Sequence, residues 1–295
     1  MQQAIRGSLS LCRQLALFML TCAFVSFARA AELRPPDSVE AGHAFSIPTE
    51  GSGQATLYFV GPDHVFKRVV NLGSDVRIDS SDVQSAGQYQ MIICQQSCAA
   101  STFVVKASNP EYLSFFLHPS RVPVSLPNSI DATALVFDRN SNLVLPPATL
   151  DFRITPTNGP SESRRTFTRN GIASIRMNSS SHEGKVSVTA ALGGVEASRV
   201  IQQVASEACG LRMSASRNAN TVTLTTEPVR DCSGNALPDG TIVSFTKVDG
   251  AGKSTLDTPI RKGRAEARFS VSGPAKVTVA CGVVLGNELS LNGNL

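Results

Sequence analysis

The chain has no tryptophan and only three tyrosines, Tyr58, Tyr89 and Tyr112. Aromatic platforms that stack on sugar rings are therefore scarce, which argues against a carbohydrate-binding module. Long apolar runs are almost as rare. Residues 15–27 (LALFMLTCAFVSF) form one run of 13, too short to cross a bilayer comfortably as a helix, and no later stretch comes close. Arg6 and Arg13 precede this run and Ala28-Arg29-Ala30 follows it, so residues 1–30 read as an export signal cleaved before Ala31. Cys22 would be the acylated residue of a lipoprotein signal, but Met19 and Thr21 before it suit that processing poorly. Net charge is the third shortage. Arg6, Arg13 and Arg29 leave with the signal, so 27 basic residues fall to 24 against 23 acidic ones, a balance of +1. Nucleic acid is excluded as a partner on that ground.

Patterns that carry chemistry are also missing. His43, His64, His118 and His182 are scattered, with no spacing that would build a zinc site or a catalytic dyad. No G-x-S-x-G elbow is present. Gly252-Lys253-Ser254-Thr255 imitates the end of a phosphate-binding loop, but position 247, where that loop needs glycine, is lysine. Residues 138–142 (DRNSN) imitate the first half of a calcium loop. Leu143 stands where its glycine belongs, and no glutamate closes it. Glu162, Glu183 and Glu266 fall on turns or polar strand faces, where solvation accounts for them. The expectation is no catalytic, cofactor-binding or metal residue, and hence no enzyme.

What is present is a series of short alternating strands, with turn clusters every 8–12 residues and no convincing helix, the signature of sandwiches or barrels. About 265 residues remain after the signal, enough for two or three domains. Strands are expected at residues 44–47, 54–60, 65–70, 76–78, 88–94 and 102–106. A linker is read at residues 107–110, where Pro110 stops any ladder, and a short joint at residues 204–208.

The two later segments look like copies of one unit. Asp138 and Asn142 match Asp231 and Asn235 at an offset of 93. Gly171 and Ala173 match Gly263 and Ala265 at 92, and Val186, Val188 and Ala190 match Val277, Val279 and Cys281 at 91. Residues 231–245 (DCSGNALPDGTIVSF) carry the clearest pattern: a polar turn, Pro238-Asp239-Gly240, then a strand in which Val243 and Phe245 share one face. Together with G-x-A-x-x-x-F at residues 263–269 and K-V-T-V at 276–279, this resembles bacterial Ig-like domains of the invasin/intimin type (Big-1). Residues 109–205 match more weakly, with Ser141 where glycine is usual and Leu145-Pro146-Pro147-Ala148 in place of Pro-Asp-Gly-Thr. The first segment is similar only to generic Ig-like folds, through Tyr89. Residues 85–89 (SAGQY) resemble the tyrosine corner, although Met91 stands where antibody domains have cysteine.

The resemblance implies an all-β protein of three tandem Ig-like β-sandwich domains: residues 31–108, 109–205 and 206–295. It implies a non-catalytic adhesion or structural spacer module that is secreted, periplasmic or on the cell surface of a bacterium. Its partner would be a protein or surface ligand of unknown identity. The alternative is a subunit of a periplasmic or surface assembly that docks on a larger exported complex. In such a compartment cysteines oxidise. Cys94 and Cys98 are expected to staple a hairpin. If the last domain keeps Ig strand order, Cys209, Cys232 and Cys281 share one pole, and three cysteines leave one thiol. Arg139 and Ala190 occupy the sites of Cys232 and Cys281 in the other copy, and their joint appearance favours a Cys232–Cys281 bond.

Overall fold

The computed structural model describes residues 32–291. The export signal expected at residues 1–30 lies outside them. The chain divides into two compact units, the first ending at Ser108 and the second beginning at Asn109.

In the first unit a five-stranded sheet runs in the order Ser38–Glu40, Cys98–Lys106, Gly87–Cys94, Gln54–Val60, Val65–Asn71. Two short pairs oppose it, Glu32–Leu33 with Thr49–Glu50 and Phe45–Ile47 with Val76–Ile78. Alternation decides which side chains enter the core. Ala55, Leu57 and Phe59 point inward from one strand and Tyr89, Met91 and Ile93 from its neighbour, and Phe103 packs edge-on against Phe45. Among the described residues of this unit the one helical turn is the 3-10 segment Ser80–Val83, which buries Val83.

The second unit contains the same sheet arrangement twice. Tyr112–His118, Ile130–Phe137 and Ile172–Met177 form a three-stranded sheet. A five-stranded sheet faces it, in the order Arg121–Pro123, Val195–Val204, Gly184–Leu192, Thr149–Pro156, Glu162–Phe167. Further along, Met213–Asn218, Thr221–Thr226 and Glu266–Ser270 repeat the three-stranded sheet. Gly252–Pro259, Ile242–Asp249, Ala275–Cys281 and Val284–Leu291 repeat the larger one, now with four strands. Residues 227–241 carry the chain from the three-stranded sheet to the four-stranded one, where Val243 and Phe245 are fully buried. Ala265, Ala267 and Phe269 meet them from the opposite sheet, with Val277 and Val279 beside them. The matched residues hold matched positions: Ala173 and Ala265 are both buried, and the glycines two residues before them, Gly171 and Gly263, adopt φ of +76° and +78°. Among the described residues no helix is long and apolar enough to cross a membrane.

Candidate functional site: a repeated aspartate loop and the joint it forms

The repeated unit is organised at the point where its second strand ends. Ile130–Phe137 stops at Asp138, whose carboxylate folds the next four residues around itself. Asp138 Oδ1 accepts the main-chain N–H of Asn140 (2.9 Å) and of Asn142 (2.8 Å), and Oδ2 accepts Asn142 Nδ2 (3.0 Å). The main-chain N–H of Asp138 donates to Asn142 O at 3.0 Å, closing the loop. Asp231 repeats this: Oδ1 accepts N–H from Ser233 and Asn235 (both 2.9 Å), Oδ2 accepts Asn235 Nδ2 (2.9 Å), and its own N–H donates to Asn235 O (2.9 Å). A short acidic side chain that bonds its own following backbone is what makes aspartate favourable here, and the asparagine four residues on saturates it. The fourth residue must turn left-handed, with φ of +65° at Ser141 and +87° at Gly234. Glycine takes that conformation freely and serine at a cost.

Both carboxylates are buried, at 0% exposure for Asp138 and 3% for Asp231. Burial by itself would raise the pKa of Asp231. The hydrogen bonds from the Asn235 side chain and from the N–H groups of Ser206, Asn235 and Ser233 outweigh it and hold the carboxyl below its ordinary value.

The second loop makes contacts that join the two sheet pairs. Asn235 Nδ2 donates to Ser181 O (2.9 Å), and Asn235 Oδ1 accepts the N–H of Glu183 (3.3 Å). Ser233 Oγ lies 2.6 Å from Ser125 Oγ. From the connecting segment, Ser206 N–H donates to Asp231 Oδ2 (3.0 Å) and Cys209 N–H to Arg230 O (2.9 Å). One side chain, Asn235, thus completes its own turn and also bonds the loop that precedes Gly184–Leu192. Beside these bonds lies a cleft of about 730 Å³ lined by Pro123, Leu126, Val204, Leu237, Pro238 and Cys281.

The cysteines correct one expectation. Cys94 and Cys98 are bonded across the hairpin whose strands pair them directly. In the second unit the bond joins Cys209 to Cys232, with Cα atoms 4.6 Å apart, and Cys281 is a buried thiol. The expected Cys232–Cys281 bond is not formed. The bridge between Ala208 and Asp231 lays the connecting segment along the aspartate loop, which sets Cys209 next to Cys232. Cys281 instead continues the inward-facing row of Val277 and Val279, taking the place of buried Ala190 in the other copy. Burial raises its thiol pKa. A residue present in one copy only had filled a core position; it had not signalled a bond.

Other sequence landmarks also have definite places. Tyr89 is fully buried and its hydroxyl donates to Ser85 O at 2.8 Å, which is the tyrosine-corner contact. Burial, reinforced by Asp63, pushes its pKa up to about 12 against the opposing effect of that bond. Residues 252–255 begin the strand Gly252–Pro259 and no helix N-terminus follows them. The oxygens of Asp138 that imitated calcium ligands accept N–H donors. Among the described residues no group of three or more His, Cys, Asp or Glu side chains is arranged to hold a metal. The residues missed by sequence reasoning are Ser125, Ser181, Glu183 and Ser206. Each contributes through a main-chain or hydroxyl group in a polar loop, where no spacing rule applies.

No protein-family model matches the sequence, and no curated protein does. Solved structures do. FdeC, an Escherichia coli adhesin, matches at TM-score 0.60 and 15% identity, over 89% of this chain and 95% of that one. Invasin, a bacterial integrin-binding protein, matches at TM-score 0.52 and 12% identity, over 89% of this chain and 59% of that one. The fold is that of bacterial Ig-like adhesin domains. At these identities the likeness establishes the fold alone. The two disulfides fit a protein that works outside the cytoplasm.

Proposed function

We propose that this chain is an exported, non-catalytic protein of three tandem Ig-like sandwiches, residues 31–108, 109–205 and 206–295, that serves as an adhesion or spacer module at a bacterial envelope. The observation that carries this reading is the joint built from Asn235. A polar loop that is already needed to turn the chain also bonds the preceding sheet pair, and the Cys209–Cys232 bond pins the connecting segment beside it. A catalytic scaffold has no need to fix one sandwich on the next; a protein that transmits force or presents a surface at a distance does. The likeness to an adhesin over most of both chains supports the same class of role. Invasin binds integrins, and a host protein is accordingly the ligand class to try first.

The competing reading is a subunit of an envelope assembly. Cell fractionation followed by chemical cross-linking separates the two. Cross-links to host or matrix proteins added to intact cells support adhesion. Cross-links confined to other envelope proteins support assembly. Recovery of the chain in the cytoplasm with its cysteines reduced overturns both.

A further inference from the structure

The strand Gly252–Pro259 ends the four-stranded sheet and, among the described residues, is paired on one side only, with Ile242–Asp249. Seven of its eight residues are exposed, Leu256 among them at 40%. Leu256 lies opposite Phe245 on the inner face of the sheet, yet unlike Phe245 it stays exposed. On the outer face stand Lys253, Thr255 and Asp257. Ser244 Oγ donates to Asp257 Oδ1 at 2.6 Å, and the hydroxyls of Thr246 and Thr255 lie 3.0 Å apart. A straight, exposed edge of this kind offers a row of unused main-chain donors and acceptors to another strand.

We infer that this edge pairs with the same strand of a second copy, antiparallel and centred on Thr255, to make one continuous eight-stranded sheet. The argument is charge and symmetry. A two-fold axis perpendicular to the sheet keeps each side chain on its own face, so a residue can meet only residues an even number of positions away. Centring on Thr255 sets Lys253 of each copy opposite Asp257 of the other, twice, and Thr255 opposite Thr255. Opposite charges and paired threonines are the cross-strand neighbours that stabilise a sheet. Centring on Ser254 sets Lys253 against Thr255, and centring on Leu256 sets Lys253 against Pro259, so neither register pairs the charges. On the inner face the Thr255-centred register brings the two Leu256 side chains diagonally together and covers each with Ser254 of the other copy.

The corresponding edges elsewhere in the chain do not pair opposite charges when centred on their middle residues. Val65–Asn71 centred on its middle residues sets Lys67 against Lys67 or Arg68 against Arg68. Glu162–Phe167 does the same with Arg164 or Arg165. Like charges directly opposite repel, and a basic edge strand discourages pairing. Gly252–Pro259 is the edge of this sheet type whose central register pairs opposite charges.

Sedimentation of the full mature chain over a range of concentrations tests the pairing. A reversible dimer is expected. Lys253→Asp and Asp257→Lys should each weaken it about tenfold, since each sets two like-charged pairs in the contact. The double exchange K253D/D257K should restore it. Thermal melting run alongside identifies a variant that has lost its fold. If D257K does so by giving up the Ser244 bond, the double exchange shares that loss, and K253D and Thr255→Cys, which keep Asp257, still read the same contact. Thr255→Cys should give a covalent dimer on oxidation, because directly opposed residues lie within disulfide reach. A monomer at about 100 μM, singles that leave the dimer unchanged, or a double exchange that fails to restore it would each overturn the inference.

Discussion

Asp231 is a buried carboxylate that accepts from three main-chain N–H groups and one side-chain amide, so its removal strands several donors at once. Replacing it with alanine should cost about 3 kcal/mol, the usual size for charge-assisted bonds lost inside a protein. Chemical denaturation of the second unit would measure this. The sign of the pH dependence follows from its lowered pKa. The stabilisation is fully present above the ordinary value of 3.8 and disappears as pH falls through the lower folded value, so wild type and D231A should converge in acid. Tyr89 behaves in the opposite sense. Its raised pKa means that its contribution is intact below pH 10 and is lost as pH rises toward about 12, with unfolding and tyrosinate absorbance rising together. Tyr89→Phe should remove that coupling and cost about 1 kcal/mol for the Ser85 bond. At Gly234, with φ of +87° and open space around it, alanine should cost about 1 kcal/mol through backbone strain alone.

At the scale of elements, the two disulfides should differ in effect. The Cys209–Cys232 bond encloses a separation of 23 residues, for which the chain-entropy model gives roughly 3 kcal/mol; the Cys94–Cys98 separation is 4. Reduction should therefore lower the melting temperature of the second unit clearly and that of the first little, as calorimetry on each would record. The elements were legible in the sequence wherever the cause was local. Strand positions followed from alternation, and Gln54–Val60 and Val76–Ile78 stand where the pattern set them. The aspartate loops followed because one side chain bonds residues two and four places ahead, a spacing visible in the sequence. Tyr89 followed for the same reason, since Ser85 is four residues away. The partner of Cys232 was not legible, because it depends on where a connecting segment lies against a turn in space. Some of the shortest strands, Ser38–Glu40 among them, escaped as well.

For the whole molecule, the sequence carried the repeat because its anchors drift by only two residues over two copies. The joint between the copies was invisible, since Ser181 and Glu183 act through main-chain groups that any residue would supply. If that joint holds the second unit together, Asn235→Ala should leave each sheet pair folded while lowering the cooperativity of melting in residues 109–295. Residues 206–295 expressed alone should still melt cooperatively. The measurement that bears most directly on the proposed role combines location with bonding: non-reducing peptide mapping of the protein recovered from fractionated cells. The expected result is recovery outside the cytoplasm, beginning near Ala31, with Cys94 joined to Cys98, Cys209 joined to Cys232, and Cys281 as a thiol. Cytoplasmic recovery with all five of these cysteines reduced would contradict the account.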